Sequence, residues 1–173
     1  MFELTPQLKN CVILKGLSDR DLELLLDHAT FEDFDQGVEI LTEGLQYQSL
    51  WVLMRGEACV IKYCDGHQNE LARLGPGSVF GEMSFFEDTT HSATVTAVTP
   101  CHTVRLKRED YEKLRVDAPD TAYKISLNVV HVLSERLRRM DSWTCRLVER
   151  ECGESNQREW NDFRAKLYLG TDF

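Results

Sequence analysis

The chain has 173 residues, of which 42% are hydrophobic and 28% charged, a balance typical of one globular domain with a tail. Its formal net charge of −9, from 20 basic and 29 acidic residues, opposes direct binding to the phosphate backbone of a nucleic acid. No apolar run approaches the roughly 18 residues that a membrane span needs, and the N-terminus lacks the pattern of a secretory signal.

Neither the cysteines nor the histidines are spaced for metal binding or redox chemistry. The six cysteines are irregularly placed without a C-x-x-C pair, and the five histidines are scattered. The sequence contains no nucleophile elbow, no Walker loop and no paired acid and base. We therefore expect a reduced, cytoplasmic protein that is not an enzyme, needs no cofactor and contacts neither membrane nor nucleic acid directly.

Two short helices are predicted at the start of the chain. Thr5-Pro6 combines a capping hydroxyl with a proline at the first helical position, which favours a helix there. Ser18 is expected to cap a second helix, because Asp19 and Asp21 fall in its first turn, where they face the positive end of the helix dipole.

Short strands separated by glycine turns follow from about Phe31. Gly56 lies between two apolar strands, which predicts a close hairpin or a bulge at that position. Many short strands at this spacing are typical of a β-barrel or a jelly roll. The predicted strands are residues 38–41, 50–55, 57–63, 70–74, 94–98 and 102–106.

The pattern becomes helical after Arg108 and stays so. A short helix over 109–115 precedes a long one, which Ala118-Pro119 opens and Gly153 ends. Apolar residues at steps of three and four predict a coiled-coil-like seam, made of Tyr123, Leu127, Val130, Leu133, Leu137, Met140 and Leu147. A second apolar edge, Ile125, Val129 and Val132, predicts burial of the first half on two sides. A last helix is expected to bear Trp160, Phe163 and Leu167.

The most informative stretch, which we call the cassette, runs from Gly77 to Val95. It is predicted as a strand, a tight glycine turn, one turn of helix, a loop and a second strand. This arrangement points backbone N–H groups at an anion and sets the carboxylate of Glu82 beside them. The aromatic side chains Phe80, Phe85 and Phe86 are expected in the core.

Over roughly residues 2–140, the chain resembles the cyclic nucleotide-binding domain family. The strongest match is Phe80-Gly81-Glu82-Met83-Ser84-Phe85-Phe86, which is similar to the family's F-G-E-x-[AS]-L-x. Ser92-Ala93-Thr94-Val95 fits the family's R-[SA]-A-[TS]-V without its first residue. Glycines also match at Gly37, Gly44, Gly56, Gly75 and Gly77.

The resemblance implies an α+β fold, a double-stranded β-helix (jelly roll) with short N-terminal helices and a long C-terminal helix. It divides the chain into a nucleotide-binding roll over 1–118, a lid and dimerisation helix over 119–152, and a helical tail over 153–173.

The implied ligand is cAMP or cGMP. Gly81 lets the backbone approach the phosphate without a Cβ, Glu82 accepts from the ribose 2′-OH, and Ser92 donates from its hydroxyl and N–H. An alternative for Glu82 is an exposed carboxylate that only stabilises the start of its helix. The expected ligand-binding residues of the cassette are Gly81, Glu82, Met83, Ser84, His91, Ser92 and Ala93.

His91 stands where the family has an arginine. An arginine forks onto the phosphate and keeps its charge at any pH, whereas a histidine is mostly neutral at pH 7. Since such charge-assisted hydrogen bonds contribute roughly 1.5–3 kcal/mol each, the exchange is expected to weaken binding. A nearby phosphate would raise the pKa of His91 and recover part of the interaction. The alternative is a loop-tip histidine without a ligand.

An ungapped register with the family also points to Arg136, on the long helix, as a contact for the purine. The alternative for Arg136 is a solvated helix face, or a partner for the dipole of the helix C-terminus.

The sequence leads to two hypotheses about function. The first is a regulatory cyclic nucleotide sensor, in which the ligand repositions the long helix and so biases a homodimer or an unidentified effector protein. The second is a degenerate fold that no longer binds nucleotide and serves for dimerisation or interaction. A DNA-binding regulator is disfavoured, because only about 20 residues follow Gly153, too few for a winged helix-turn-helix.

Overall fold

A computed structural model describes residues 11–64, 66–87 and 89–151, together with Trp160 and Phe163. The helix predicted at Thr5-Pro6, the helix end at Gly153 and most of the tail, including Leu167, lie outside the described residues, as does the side chain of Leu147. The chain divides into two compact units, one up to Val132 and one from Leu133.

Helices begin and end the described chain. After a 3-10 turn at Val12–Leu14, helix α1 spans Asp19–Asp27, and Ser18 caps it as predicted, with its hydroxyl accepting from the Asp21 N–H. At the other end of the chain, helix α3 spans Arg108–Asp117 and the long helix α4 spans Pro119–Glu151.

Eight strands and one short helix lie between them. They are β1 (Thr30–Phe34), β2 (Glu39–Leu41), β3 (Ser49–Arg55), β4 (Ala58–Cys64), β5 (His67–Leu74), β6 (Val79–Phe80), α2 (Glu82–Phe86), β7 (Thr94–Ala97) and β8 (Cys101–Lys107). The strands form two four-stranded antiparallel sheets, ordered β1-β8-β3-β6 and β2-β7-β4-β5. The predicted jelly roll is therefore confirmed.

Gly56 is where the chain passes from one sheet to the other. We expected a hairpin or bulge there, but β3 and β4 belong to different sheets and do not pair with each other. Gly56 adopts a φ of 91°, and a Cβ on it would lie 2.3 Å from the Pro100 carbonyl oxygen. Only glycine fits this corner. A residue with a side chain would be strained at this positive φ, and its Cβ would clash with the Pro100 carbonyl.

The core of the roll lies between the two sheets. It includes Trp51, Leu53, Ala58, Phe80 and Val95, which are all buried. Trp51 and Phe80 are paired across β3 and β6, and their rings stack with centroids 6.0 Å apart.

A buried carboxylate ties α1 to the start of α4. Asp21 accepts hydrogen bonds from Thr121 Oγ1 (2.6 Å), Lys124 Nζ (2.8 Å) and Ser18 Oγ (2.7 Å). The hydrogen bond from Lys124 is the largest cause that holds the pKa of Asp21 well below its usual range. Because all its donors are in place, this carboxylate stays ionised and fixes the first turns of the long helix to α1.

The first half of α4 was predicted to be buried on two sides, but the structure buries only one of them. Ile125 and Val129 are fully buried, so the second apolar edge packs into the first unit. The seam residues Tyr123, Leu127 and Val130 are exposed, and burial on that side is not found in the single chain.

Candidate functional site

Gly81 sets the geometry of the cassette. It follows β6 directly, with a φ of +78°, and caps helix α2. A Cβ at this position would lie 2.5 Å from the Ser49 carbonyl oxygen and 3.1 Å from Cδ1 of Trp51. Glycine is therefore required by the backbone conformation and by the close approach to β3 at once, and it starts α2 against the core of the roll.

Helix α2 buries three of its five side chains, those of Glu82, Ser84 and Phe85. Glu82 is only 3% exposed and Ser84 2%, while Met83 is 56% exposed. Glu82 is therefore not exposed, as its alternative role at the helix start assumed, and its contact with a ribose stays a prediction. Phe80 and Phe85 are buried as expected, but Phe86 is exposed and is not a core residue.

His91 is buried and held on both sides. Its N–H donates to the Leu45 carbonyl (2.8 Å), and its carbonyl accepts from the Gly44 N–H (3.0 Å), which pins it to the turn after β2. The residue is only 4% exposed, and the centroid of its ring lies 5.9 Å from that of Tyr47. His91 is therefore a buried residue of the loop, and its contact with a ligand stays a prediction.

The imidazole of His91 joins the two ends of the cassette. Its Nδ1 lies 2.8 Å from Ser84 Oγ, whereas its Nε2 is buried without a hydrogen-bond partner among the described residues. An unpaired buried polar atom costs roughly 1–3 kcal/mol, so this nitrogen favours the arrival of a polar ligand group.

The proton on the ring decides what Nε2 offers. If Ser84 donates to Nδ1, the neutral ring presents an Nε2–H donor. If instead Ser84 donates to the Gly81 carbonyl, 3.4 Å away, Nδ1 keeps the proton and Nε2 is a bare acceptor. In the protonated ring, the imidazolium, both nitrogens are donors. Nδ1 then donates to Ser84 Oγ, the Ser84 hydroxyl donates to the Gly81 carbonyl, and Nε2 carries a proton as well. Burial lowers the pKa of His91 and keeps the ring neutral near pH 7.

An exposed serine, Ser92, lies two residues before strand β7. Ser92 Oγ lies 3.6 Å from Met83 Sδ, so the hydroxyl is close to the exposed side of α2. Ala93 is half-buried behind it. The structure thus brings the residues expected at both ends of the cassette together, through the pairs Ser84–His91 and Met83–Ser92.

A lysine that the sequence did not single out also reaches the cassette. Lys62 Nζ donates to the Ser92 carbonyl (2.5 Å) and to Glu43 Oε1 (2.7 Å). Glu43 Oε2 accepts from the Tyr63 N–H. The signal that points to Lys62 is the alternation of β4, since Lys62 falls on the same face as the buried Ala58 and as Val60, which packs against the core.

Arg136 is an exposed residue of α4 in the second unit, and its predicted contact with the purine stays a prediction.

An aromatic contact connects α2 with the two helices that follow the roll. The rings of Phe85 and Tyr111 meet edge to face, with centroids 5.4 Å apart. The Tyr111 hydroxyl is hydrogen-bonded to Ser126 Oγ on α4, and Arg108 donates to the Phe85 carbonyl. A shift of α2 would therefore displace its contacts on α3 and, through the Tyr111 hydroxyl, on the first half of α4.

Two further findings concern the described part of the chain. No three of its His, Cys, Asp or Glu side chains come together as ligands of a metal ion would. No described helix is both long and apolar enough to cross a membrane.

The family model described as "Cyclic nucleotide-binding domain" matches residues 31–117, which include the cassette and strands β2 to β8. The "Cyclic AMP receptor protein" of Thermus thermophilus is 31% identical over 135 residues, which make up 78% of this chain and 61% of that relative. A "cAMP-dependent protein kinase regulatory subunit" of Mucor circinelloides f. lusitanicus is 26% identical over 129 residues, 75% of this chain and 30% of that relative.

Among solved structures, the catabolite activator protein of Thermus thermophilus superposes with a TM-score of 0.71 at 30% identity, covering 79% of this chain and 62% of that one. The chain spans about three fifths of the length of the first curated relatives that it matches.

Burial of His91 predicts a dependence of stability on pH. The lowered pKa means that the folded protein binds this proton less readily than the unfolded chain, whose histidines have a pKa of about 6.5. Without ligand, the free energy of unfolding should therefore fall as the pH drops below about 6.5. A His91→Gln variant, measured by urea denaturation from pH 7.5 to 5, should lack this component.

The control for this measurement is His102→Gln, since His102 is exposed and pairs with Asp33 on the surface. Equal pH profiles for the wild type and His91→Gln would contradict the assignment of a buried, neutral His91.

Proposed function

The chain belongs to the cyclic nucleotide-binding domain family, and we propose that it is a regulatory sensor that binds cAMP or cGMP in the cassette. The observation that carries the proposal is the buried pair of Ser84 and His91, whose Nε2 has no partner among the described residues. Ser84 belongs to the same short helix as the buried Glu82, and Gly81 caps that helix. The similarity to the cyclic AMP receptor protein of Thermus thermophilus makes cAMP the first ligand to test.

Each residue of the cassette has a distinct task in this proposal. The His91 Nε2–H donates to an oxygen of the cyclic phosphate, and Ser92 donates to the same group from its hydroxyl and N–H. Glu82 accepts from the ribose 2′-OH. Gly81, Met83, Ser84 and Ala93 shape the walls, and Arg136 contacts the purine.

Binding is coupled to protonation of His91. The negative charge of a phosphate raises the pKa of an adjacent imidazole, which opposes the effect of burial. By linkage, the ligand then binds more tightly as the pH falls, by up to about tenfold per pH unit while one proton is taken up. At neutral pH, binding is weaker than in a cassette that holds an arginine, because part of the binding energy is spent on protonation.

The ligand signal passes to the long helix through the aromatic contact of Phe85 with Tyr111. Occupation of the cassette moves α2, and the hydrogen bond between Tyr111 and Ser126 passes that movement to α4. The helix has two positions in equilibrium, and the ligand shifts this equilibrium toward the position in which it binds more tightly.

The exposed seam of α4 is proposed to pair with a second copy of the chain. Tyr123, Leu127 and Val130 in the first unit, and Leu137 and Met140 in the second, are exposed apolar residues at steps of three and four. An identical helix offers the same seam in return, which gives a symmetric dimer. We further propose that this cytoplasmic dimer acts on an unidentified effector protein.

Calorimetric titration with cAMP and cGMP at pH 6.0 and pH 7.5 tests the ligand. The wild type is expected to bind, and more tightly at pH 6.0. His91→Arg should bind roughly tenfold to a hundredfold more tightly at pH 7.5, with little dependence on pH, because its charge is permanent. His91→Gln, which cannot be protonated, is the matched control and should bind weakly at both pH values.

The absence of heat and of any thermal shift with millimolar ligand would refute the sensor. The chain would then be the alternative, an interaction module that keeps the roll without the ligand.

The dimer is tested by analytical ultracentrifugation of Leu127→Glu. A charge in the centre of the seam should convert a dimeric wild type to monomers, since it would be buried without a partner. Ser142→Glu is the control, because Ser142 is exposed on a different face of the same helix. A monomeric wild type at tens of micromolar, or a dimeric Leu127→Glu, would count against the seam as the interface.

A further inference from the structure

We propose that Lys62 supplies the permanent positive charge of the anion site, in place of the arginine that the cassette lacks. The inference rests on the proposed function and names the residue that neutralises the phosphate. Lys62 belongs to strand β4, outside the cassette, and no motif of the sequence marks it.

Strand β4 directs Lys62 into the roll. Its pairing with β7 is regular, with Ala58 opposite Ala97 and Val60 opposite Val95. Ala58, Val95 and Ala97 are buried in the core between the sheets. Side chains two residues apart point to the same face of a strand, so Lys62 continues the inward row of Ala58 and Val60.

A lysine at the end of an inward-facing apolar row is unusual, because a charge that leaves water needs polar partners in the protein. Lys62 finds one of its two partners in the cassette. Lys62 Nζ donates to the Ser92 carbonyl (2.5 Å) and to Glu43 Oε1 (2.7 Å). An ammonium group has three N–H donors, so these two described acceptors leave one for a phosphate oxygen.

The position of the ammonium group fits that role. It contacts the same residue, Ser92, whose hydroxyl and N–H are proposed to hold the phosphate. Its side chain is 35% exposed, so a ligand has access to it. A phosphate held by Ser92 would therefore be next to this positive charge, which would attract it.

Glu43 holds the ammonium in place before the ligand arrives. Its carboxylate accepts from Lys62 and from the Tyr63 N–H, and the hydrogen bond from Lys62 is the largest cause that lowers the pKa of Glu43. A fixed cation loses less conformational entropy on binding than a free lysine. The negative charge of Glu43 also opposes the phosphate, so this site is weaker than one with an unpaired arginine.

Lys62→Met, Lys62→Gln and Lys62→Arg test the assignment by titration with cAMP and with adenosine, which has the nucleoside but no phosphate. We expect the two neutral variants to bind cAMP at least tenfold more weakly and adenosine as the wild type does. We also expect a flatter dependence of cAMP affinity on ionic strength, and near-normal binding by Lys62→Arg. Lys113→Met is the control, since it removes an exposed lysine with a 2.7 Å ion pair elsewhere.

Two results would overturn the role of Lys62 while the sensor stands. One is unchanged cAMP affinity in Lys62→Met and Lys62→Gln. The other is an equal loss for cAMP and adenosine with the salt dependence unchanged, which would mean that Lys62 only braces the Ser92 turn. A wild type that binds neither ligand would refute the sensor itself, and the role of Lys62 with it.

Discussion

The hydrogen bond between Ser84 and His91 is the interaction on which the site depends. It joins the short helix α2 to the loop before β7, and it is buried at both ends. Since Nδ1 is used by Ser84, the only free position of the imidazole is Nε2, which the described residues leave without a partner. The cassette is thus closed by a titratable group whose second nitrogen is available to a ligand.

The proposed site divides between two residues the tasks that the family resemblance assigns to one arginine. In the proposed site, the hydrogen-bond donor to the phosphate is a histidine, whose lowered pKa makes its charge dependent on pH. The proposed permanent charge is that of Lys62, on strand β4, which pairs with Glu43. Ligand affinity at such a site should depend on pH and salt more strongly than at a site with an arginine. His91 titrates, and the charge of Lys62 is partly exposed and so is screened by salt.

The sequence predicted most of the fold, because its signals are local. Glycine turns, strand periodicity and the Ser18 cap depend on neighbouring residues, and each recurs in the structure. Burial of His91 was not predictable, since it depends on the distant turn at Gly44. The same holds for Lys62, which meets Ser92 only because β4 pairs with β7, and for Gly56, whose role as a corner needs both sheets.

The central claim, that the buried imidazole of His91 is the proton-linked donor to an anionic ligand, is tested most directly by NMR titration of its ring nitrogens. Without ligand, the pKa of His91 should lie below the ordinary value of about 6.5. With saturating cAMP it should rise above that value, and Nε2 should carry a proton at neutral pH. A pKa that is the same with and without bound cAMP would contradict the account.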